Sequence, residues 1–210
     1  MKNLLNQVNF IDIKFNSVSL FGDKNNGFTL FVNNNQVMTY NFNNQNSTKQ
    51  QMVFKDYGYG HCILSGLGMG FAIDLLLDKP EIETITVYEI NEDVIKLNEM
   101  LGLKHPKLKL INKDINTVTN TTCDCLFLDH YEDEPDHYIL NNVKNINFNI
   151  KSKLFWFWKA EKLILDYINF TKKENIKAYE QFLKDNNITN MPKFAEFHIN
   201  KYVENWKNTQ

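Results

Sequence analysis

Ile63-Leu64-Ser65-Gly66-Leu67-Gly68-Met69-Gly70 decides how this chain folds. An apolar strand runs into glycines at alternate positions, and a helix from Phe71 to Leu77 follows. A second strand, Thr86-Val87-Tyr88-Glu89, then ends in a carboxylate. Gly66 permits a tight turn off the strand, Gly68 lets backbone approach a ligand with no Cβ in the way, and Gly70 lets the helix pack closely on a sheet. The helix N-terminus offers free N–H groups to the crevice, and Glu89 is placed to accept both hydroxyls of a ribose. The pattern implies a nucleoside-bearing cofactor.

The spacing separates the cofactor classes. A dinucleotide fingerprint, G-x-G-x-x-G, needs its third glycine at position 71, which is Phe71. The G-x-G-x-G of Gly66, Gly68 and Gly70, with Glu89 closing the next strand, resembles motif I and the following acidic position of class I S-adenosylmethionine (SAM) methyltransferases. That resemblance implies SAM as cofactor. It also implies that Asp114, after the apolar strand Leu108 to Asn112, lies near the adenine amine. Asp129, ending the strand Cys123 to Asp129, takes the place of the family's motif IV.

A chain of 210 residues is long enough for one cored domain with a small appendage. A net charge of −2 gives no electrostatic case for nucleic acid. All 23 basic residues are lysine, so no bidentate guanidinium clamp is available and anionic groups fall to Lys or backbone amides. Cys123 and Cys125 lie two apart on one strand and face the same side, which does not suit a local disulfide. With Cys62 they read as small buried residues of a reducing compartment. No apolar run approaches membrane-spanning length and the Asn-rich start has no signal-peptide core, so a cytoplasmic protein with no membrane partner is expected.

Residues 1–56 read as a β-rich extension and 57–210 as the cofactor domain with a helical C-terminus. In the first, Phe10, Ile11, Ile13, Phe15, Val18 and Leu20 largely alternate with polar positions. Segments Gly27 to Val32 and Gln36 to Phe42 flank Asn33-Asn34-Asn35, a hairpin turn because Asn tolerates the left-handed region. A polar loop over 43–50 and a short helix over 51–56 follow. From 61 on, strands (61–66, 84–89, 108–112, 124–129, 152–158) alternate with helices (70–78, 92–101, 136–147). This predicts an α/β fold with a doubly wound, mostly parallel, Rossmann-like sheet. Lys153 to Trp158 reads as a central buried strand whose C-terminal end brings Trp158 and Lys159 to the site. Helices are expected over 160–170, 172–186 and 192–206, with no further pair of strands.

Two branches share more of the pattern. The line Ser65 to Gly70 with Val87-Tyr88-Glu89-Ile90-Asn91-Glu92-Asp93-Val94-Ile95 is similar to the spermidine synthase family, which also carries a β-rich N-terminal part. That family has a G-G-G-D-G-G-type loop, and Met69 stands in its Asp place. Phe127-Leu128-Asp129-His130-Tyr131-Glu132-Asp133 resembles catechol-type O-methyltransferases. There the Asp binds a metal, the His and aromatic touch the cofactor, and a Lys base follows. Glu132 replaces that Lys, and Trp158-Lys159-Ala160-Glu161 stands where further metal ligands belong. No metal is expected, since Mg²⁺ needs several oxygen ligands.

In a parallel sheet, ligands sit outside the carboxyl ends of the strands. The residues placed there are Gly66 to Gly70, Glu89, Asp114, Asp129 to Glu132 and Trp158 to Glu161. Asp129 and His130 are the candidates for proton transfer, and Tyr131 for stacking on adenine or substrate. The acidic run Glu132-Asp133-Glu134-Pro135-Asp136 reads as a solvated loop or as a rim drawing a cationic acceptor. The expected function is SAM-dependent methyl transfer to a small molecule. The alternatives are aminopropyl transfer from decarboxylated SAM, or a SAM-binding protein that is non-catalytic or degrades SAM. A homodimer is compatible with the sequence, which fixes no oligomeric state.

Overall fold

The computed structural model describes residues 9–40, 52–131, 134–194 and 196–207. The chain opens with four antiparallel strands paired in sequence order, β1 (Phe10–Phe15), β2 (Val18–Asp23), β3 (Gly27–Val32) and β4 (Asn35–Tyr40). The alternating stretch from Phe10 to Leu20 is divided between two strands, because Asn16 takes a left-handed φ of 47° and turns the chain at Ser17. The Asp23 carboxylate shapes the next turn by accepting the backbone N–H groups of Asn25 and Asn26 at 2.7 and 2.9 Å. Asn33 and Asn34, both at positive φ, make the β3–β4 turn that the asparagine run predicts. The polar loop over 43–50 lies outside the described residues.

A second sheet of five strands has the order β7-β6-β5-β8-β9, with every pairing parallel. Its members are β5 (Gly60–Ser65), β6 (Ile82–Glu89), β7 (Leu108–Asn112), β8 (Thr121–Leu128) and β9 (Ile150–Phe157). Helices α1 (Met52–Tyr57), α2 (Phe71–Leu77), α3 (Glu92–Met100) and α4 (Asp136–Asn149) precede or connect the strands, and a short 3₁₀ turn spans Ile115–Thr117. Helices α5 (Ala160–Thr171), α6 (Asn175–Asp185) and α7 (Glu196–Lys207) complete the chain. Strand order reverses at β5, so the crevice between β5 and β8 is where such a sheet receives ligands. The result is the Rossmann-like α/β fold expected, beside a small antiparallel sheet.

Two readings of the C-terminal half change. Lys153 to Trp158 belongs to β9, which is the end strand of the sheet and not a central one. Its last residues are still buried, from Leu154 to Phe157, because α1 and α4 pack on the strand and the segment before α7 lies along it. That segment supplies the missing edge partner, since the Phe155 N–H donates to the Asn190 carbonyl at 2.8 Å. For the same reason α7 starts at Glu196 and not at Pro192, whose carbonyl accepts the Tyr179 hydroxyl at 2.9 Å. Cys62, Cys123 and Cys125 are buried free thiols. Among the described residues, no helix is long and apolar enough to cross a membrane.

The antiparallel sheet is fastened over α2 and α3. Tyr40 stacks on Phe71, with ring centroids 3.5 Å apart and planes at 20°. At the β1–β2 turn, Asn16 Nδ2, the Ser17 N–H and Ser17 Oγ all donate to the Asp93 carboxylate, at 3.0, 3.2 and 2.6 Å. These donors hold the Asp93 carboxyl below its ordinary value of 3.8. A depressed carboxyl contributes stability above its unfolded pKa and loses it as pH falls through the folded one. Asp93→Ala is therefore expected to lower the melting temperature at neutral pH. The deficit should shrink as pH drops below 4 in a series of thermal melts.

Candidate cofactor-binding site

Glu89 is the pivot of the crevice. It closes β6, is 9% exposed, and its two oxygens hold two loops. Oε2 accepts the Leu67 N–H of the glycine loop at 2.9 Å, and Oε1 accepts the Asn91 N–H at 2.8 Å. Asn91 in turn caps α3, its side-chain oxygen accepting the Asp93 N–H at 2.9 Å. Buried Asn98 of α3 pins the glycine loop from beneath, donating to the carbonyls of Gly68 and Val94 at 2.8 and 2.9 Å. Backbone fold and acid are thus one hydrogen-bonded unit.

Gly66 and Gly68 have different jobs here. Gly66 has φ +82°, and a Cβ on it would run into the backbone carbonyl of Asp129, so it lets β5 and β8 end in contact. Gly68 has φ +50°, and a Cβ there would lie 2.8 Å from Met38 Sδ. The group that approaches Gly68 is therefore the thioether of β4, a flexible side chain seated over the loop.

Around these glycines lies a cavity of about 720 Å³. Its floor is Gly66, Leu67, Gly68, Glu89, Ile90 and Asn91, and its far wall is Asp129, His130, Tyr131, Trp156 and Trp158. Its roof is the β3–β4 hairpin, from Leu30 and Val32 to Asn35, Gln36, Met38 and Thr39. The structure thus brings together Gly66, Gly68, Glu89, Asp129, His130 and Tyr131. Gly70 and Asp114 do not line the cavity. Gly70 turns the loop into α2, its N–H donating to Leu67 O at 2.9 Å. Asp114 caps the 3₁₀ turn, accepting the Asn116 N–H at 2.9 Å. Among the described residues, no group of three or more His, Cys, Asp or Glu side chains is arranged to hold a metal ion.

The far wall carries the titratable groups. His130 stacks on Tyr131, with centroids 4.1 Å apart, and burial holds its pKa below the usual 6.5. The Tyr131 hydroxyl donates to Asn142 at 2.7 Å, and burial pushes its pKa far up, so the phenol stays neutral. Behind Asp129 sits Glu161, 5% exposed, with its carboxyl pushed up to about 8, first by burial and further by the Asp129 charge. Sequence reading put Glu161 at the strand ends but gave it no role. The signal that singles it out is burial at the start of α5, where Lys159 takes a left-handed φ of 67° to turn the chain inward.

A Rossmann-like α/β domain with a glycine loop after β5 is what this sheet order defines. No family model and no curated protein matches the chain. Among solved structures it is similar to spermidine synthase from Thermotoga maritima, at 12% identity and TM-score 0.47, over 64% of this chain and 50% of that one. It is also similar to a spermidine synthase bound to the transition-state analogue AdoDATO, at 12% identity and TM-score 0.48, over 67% and 51%. The N-methyltransferase NodS from Bradyrhizobium japonicum WM9 matches at 13% identity and TM-score 0.39, over 50% and 60%. The chain spans about half the length of the two spermidine synthases.

Two measurements check this geometry. Gly66→Ala is expected to destabilise the fold by about 3 kcal/mol or more in urea, because rigid backbone must move. Gly68→Ala should cost less, since Met38 can swing away. Glu161 bears the opposite pH signature to Asp93. Its penalty is absent below its unfolded value near 4.5 and grows until about 8. Glu161→Gln should therefore be more stable than the parent at pH 8, by on the order of a few kcal/mol, and converge with it near pH 5.

Proposed function

We propose that the chain is a SAM-dependent transferase that moves a methyl group to a small molecule. The observation that carries this reading is Glu89. It is a buried carboxylate locked to both flanking loops, and it opens on a cavity large enough for a nucleoside and a second reactant. Its fixed oxygens are pre-set to accept ribose hydroxyls with no reorganisation on binding. The walls suit a sulfonium. Glu89 and Asp129 supply negative charge, and Trp156, Trp158 and Tyr131 supply π faces that attract a cation.

Bound SAM would supply an electrophilic methyl group on a sulfonium, and the cavity walls would hold the acceptor's lone pair in line with it. The acceptor's proton leaves to the Asp129 carboxylate or, from an amine, to solvent. The protein's main contribution is alignment of the two reactants. Because the lining carries carboxylates, a neutral or cationic acceptor fits better than an anionic one.

Aminopropyl transfer from decarboxylated SAM is the second reading, and one observation favours it. The described lining contains no lysine. A methionine carboxylate there would rely on amides such as Asn33, Asn35, Gln36 and Asn91.

Titration calorimetry with SAM, S-adenosylhomocysteine and decarboxylated SAM tests both. Methyl transfer predicts that the first two bind, and aminopropyl transfer predicts a preference for the third. Glu89→Gln should weaken every one of them at least tenfold. Unchanged affinity in that variant would remove the ribose assignment.

A further inference from the structure

Met38 stands between two fixed surfaces. Below it is the glycine loop, held by Glu89 at the Leu67 N–H and by Asn98 at the Gly68 carbonyl. Above it is β4, which ends in Tyr40 stacked on Phe71. The sheet that carries β4 is tied down again where the Ser17 N–H and hydroxyl donate to Asp93. Neither surface shifts without breaking these contacts.

The strand is shaped to aim Met38 at the loop. The β3–β4 register slips between Leu30 and Phe31, which pair with Met38 and Gln36 and leave Val37 as an extra residue. A regular strand turns alternate residues to opposite faces, and a bulge breaks that alternation and redirects a side chain. Gln36, Val37, Met38 and Thr39 accordingly all line the cavity. The end of Met38 reaches Gly68 itself. A Cβ on Gly68 would lie 2.8 Å from Met38 Sδ and 3.9 Å from its methyl carbon, so the thioether covers the bare Cα. The gap between them is too small to admit a ligand atom.

The second glycine of such a loop is where a ligand comes closest to the backbone. We propose that Met38 is the gate of this position: a nucleoside-bearing ligand settles on Gly68 only by displacing the thioether. Roof and floor stay fixed, and the side chain swings. Methionine suits the task, because its unbranched chain has three rotatable bonds and repacks readily in irregular space. Each moment that Met38 spends on Gly68 is lost to the ligand, so the apparent affinity falls by the fraction of time the glycine is uncovered. Met38 thereby sets how readily the site fills. The identity of the displacing ligand rests on the transferase reading.

Two measurements on the full chain test this gate. With methionine methyl groups labelled, the Met38 signal is identified by its loss in Met38→Leu. Without added ligand it should show a nuclear Overhauser contact to the Gly68 α-protons, and saturating S-adenosylhomocysteine should abolish that contact. By calorimetry, Met38→Ala should bind S-adenosylhomocysteine about three- to tenfold more tightly than the parent, because Gly68 is then always uncovered. Equal or weaker binding by Met38→Ala, or a methyl contact that is missing in the free protein or persists at saturation, overturns the gate and leaves the cofactor assignment standing. Where Met38→Ala fails to fold, the methyl contact alone decides. Binding by neither the parent nor Met38→Ala removes the cofactor assignment and the gate with it.

Discussion

The bond pair from Glu89 to the Leu67 and Asn91 amides is the constraint on which the site depends. It ties the loop after β5 to the loop after β6, so neither can take its shape without the other. A buried carboxylate left without donors would be costly, and two oriented N–H groups satisfy it. The same amides, otherwise unpaired at loop positions, gain a fixed acceptor. Asn98 adds a third tie from α3, so the glycine loop is held on two sides before any ligand arrives. Such pre-organisation reduces what binding must spend on ordering.

The antiparallel sheet gives this rigid floor a roof made from a different part of the chain. Its inner face, with Leu20, Phe28 and Leu30 fully buried, is a hydrophobic layer in its own right. Its hold on the rest runs through Asp93 and the Tyr40–Phe71 stack. The roof hairpin contributes amides and a thioether and no charge, while the floor and far wall contribute the carboxylates. Polarity across the cavity therefore follows the division between the two sheets.

Much of the fold was legible because it rests on local signals. Glycines at alternate positions after an apolar run, Glu89 at the end of the next strand, and the Asn33-Asn34-Asn35 turn all carry their own stereochemistry. What was not legible depends on partners distant in sequence. Asn16 turns the chain in the middle of an alternating stretch that does not itself mark where the turn falls. β9 looks like a central strand because its residues are apolar on both faces, but that burial comes from helices and from the Asn190 segment. Asp114 has the position of a ligand contact, and its Oδ1 accepts both the backbone and the side-chain N–H of Asn116. Met38 and Glu161 gain meaning only from what they are folded against.

The two margins of the parallel sheet are closed by different means. On one side the Asn190 carbonyl occupies the outward donor of β9 at Phe155. On the other, β7 is only five residues long, carries exposed Lys109, and is flanked by Lys107 and Lys113. Short strands bearing ammonium groups resist pairing with a foreign strand. The sheet is thus guarded against lateral growth into fibrils by a stopper at one flank and like-charge repulsion at the other.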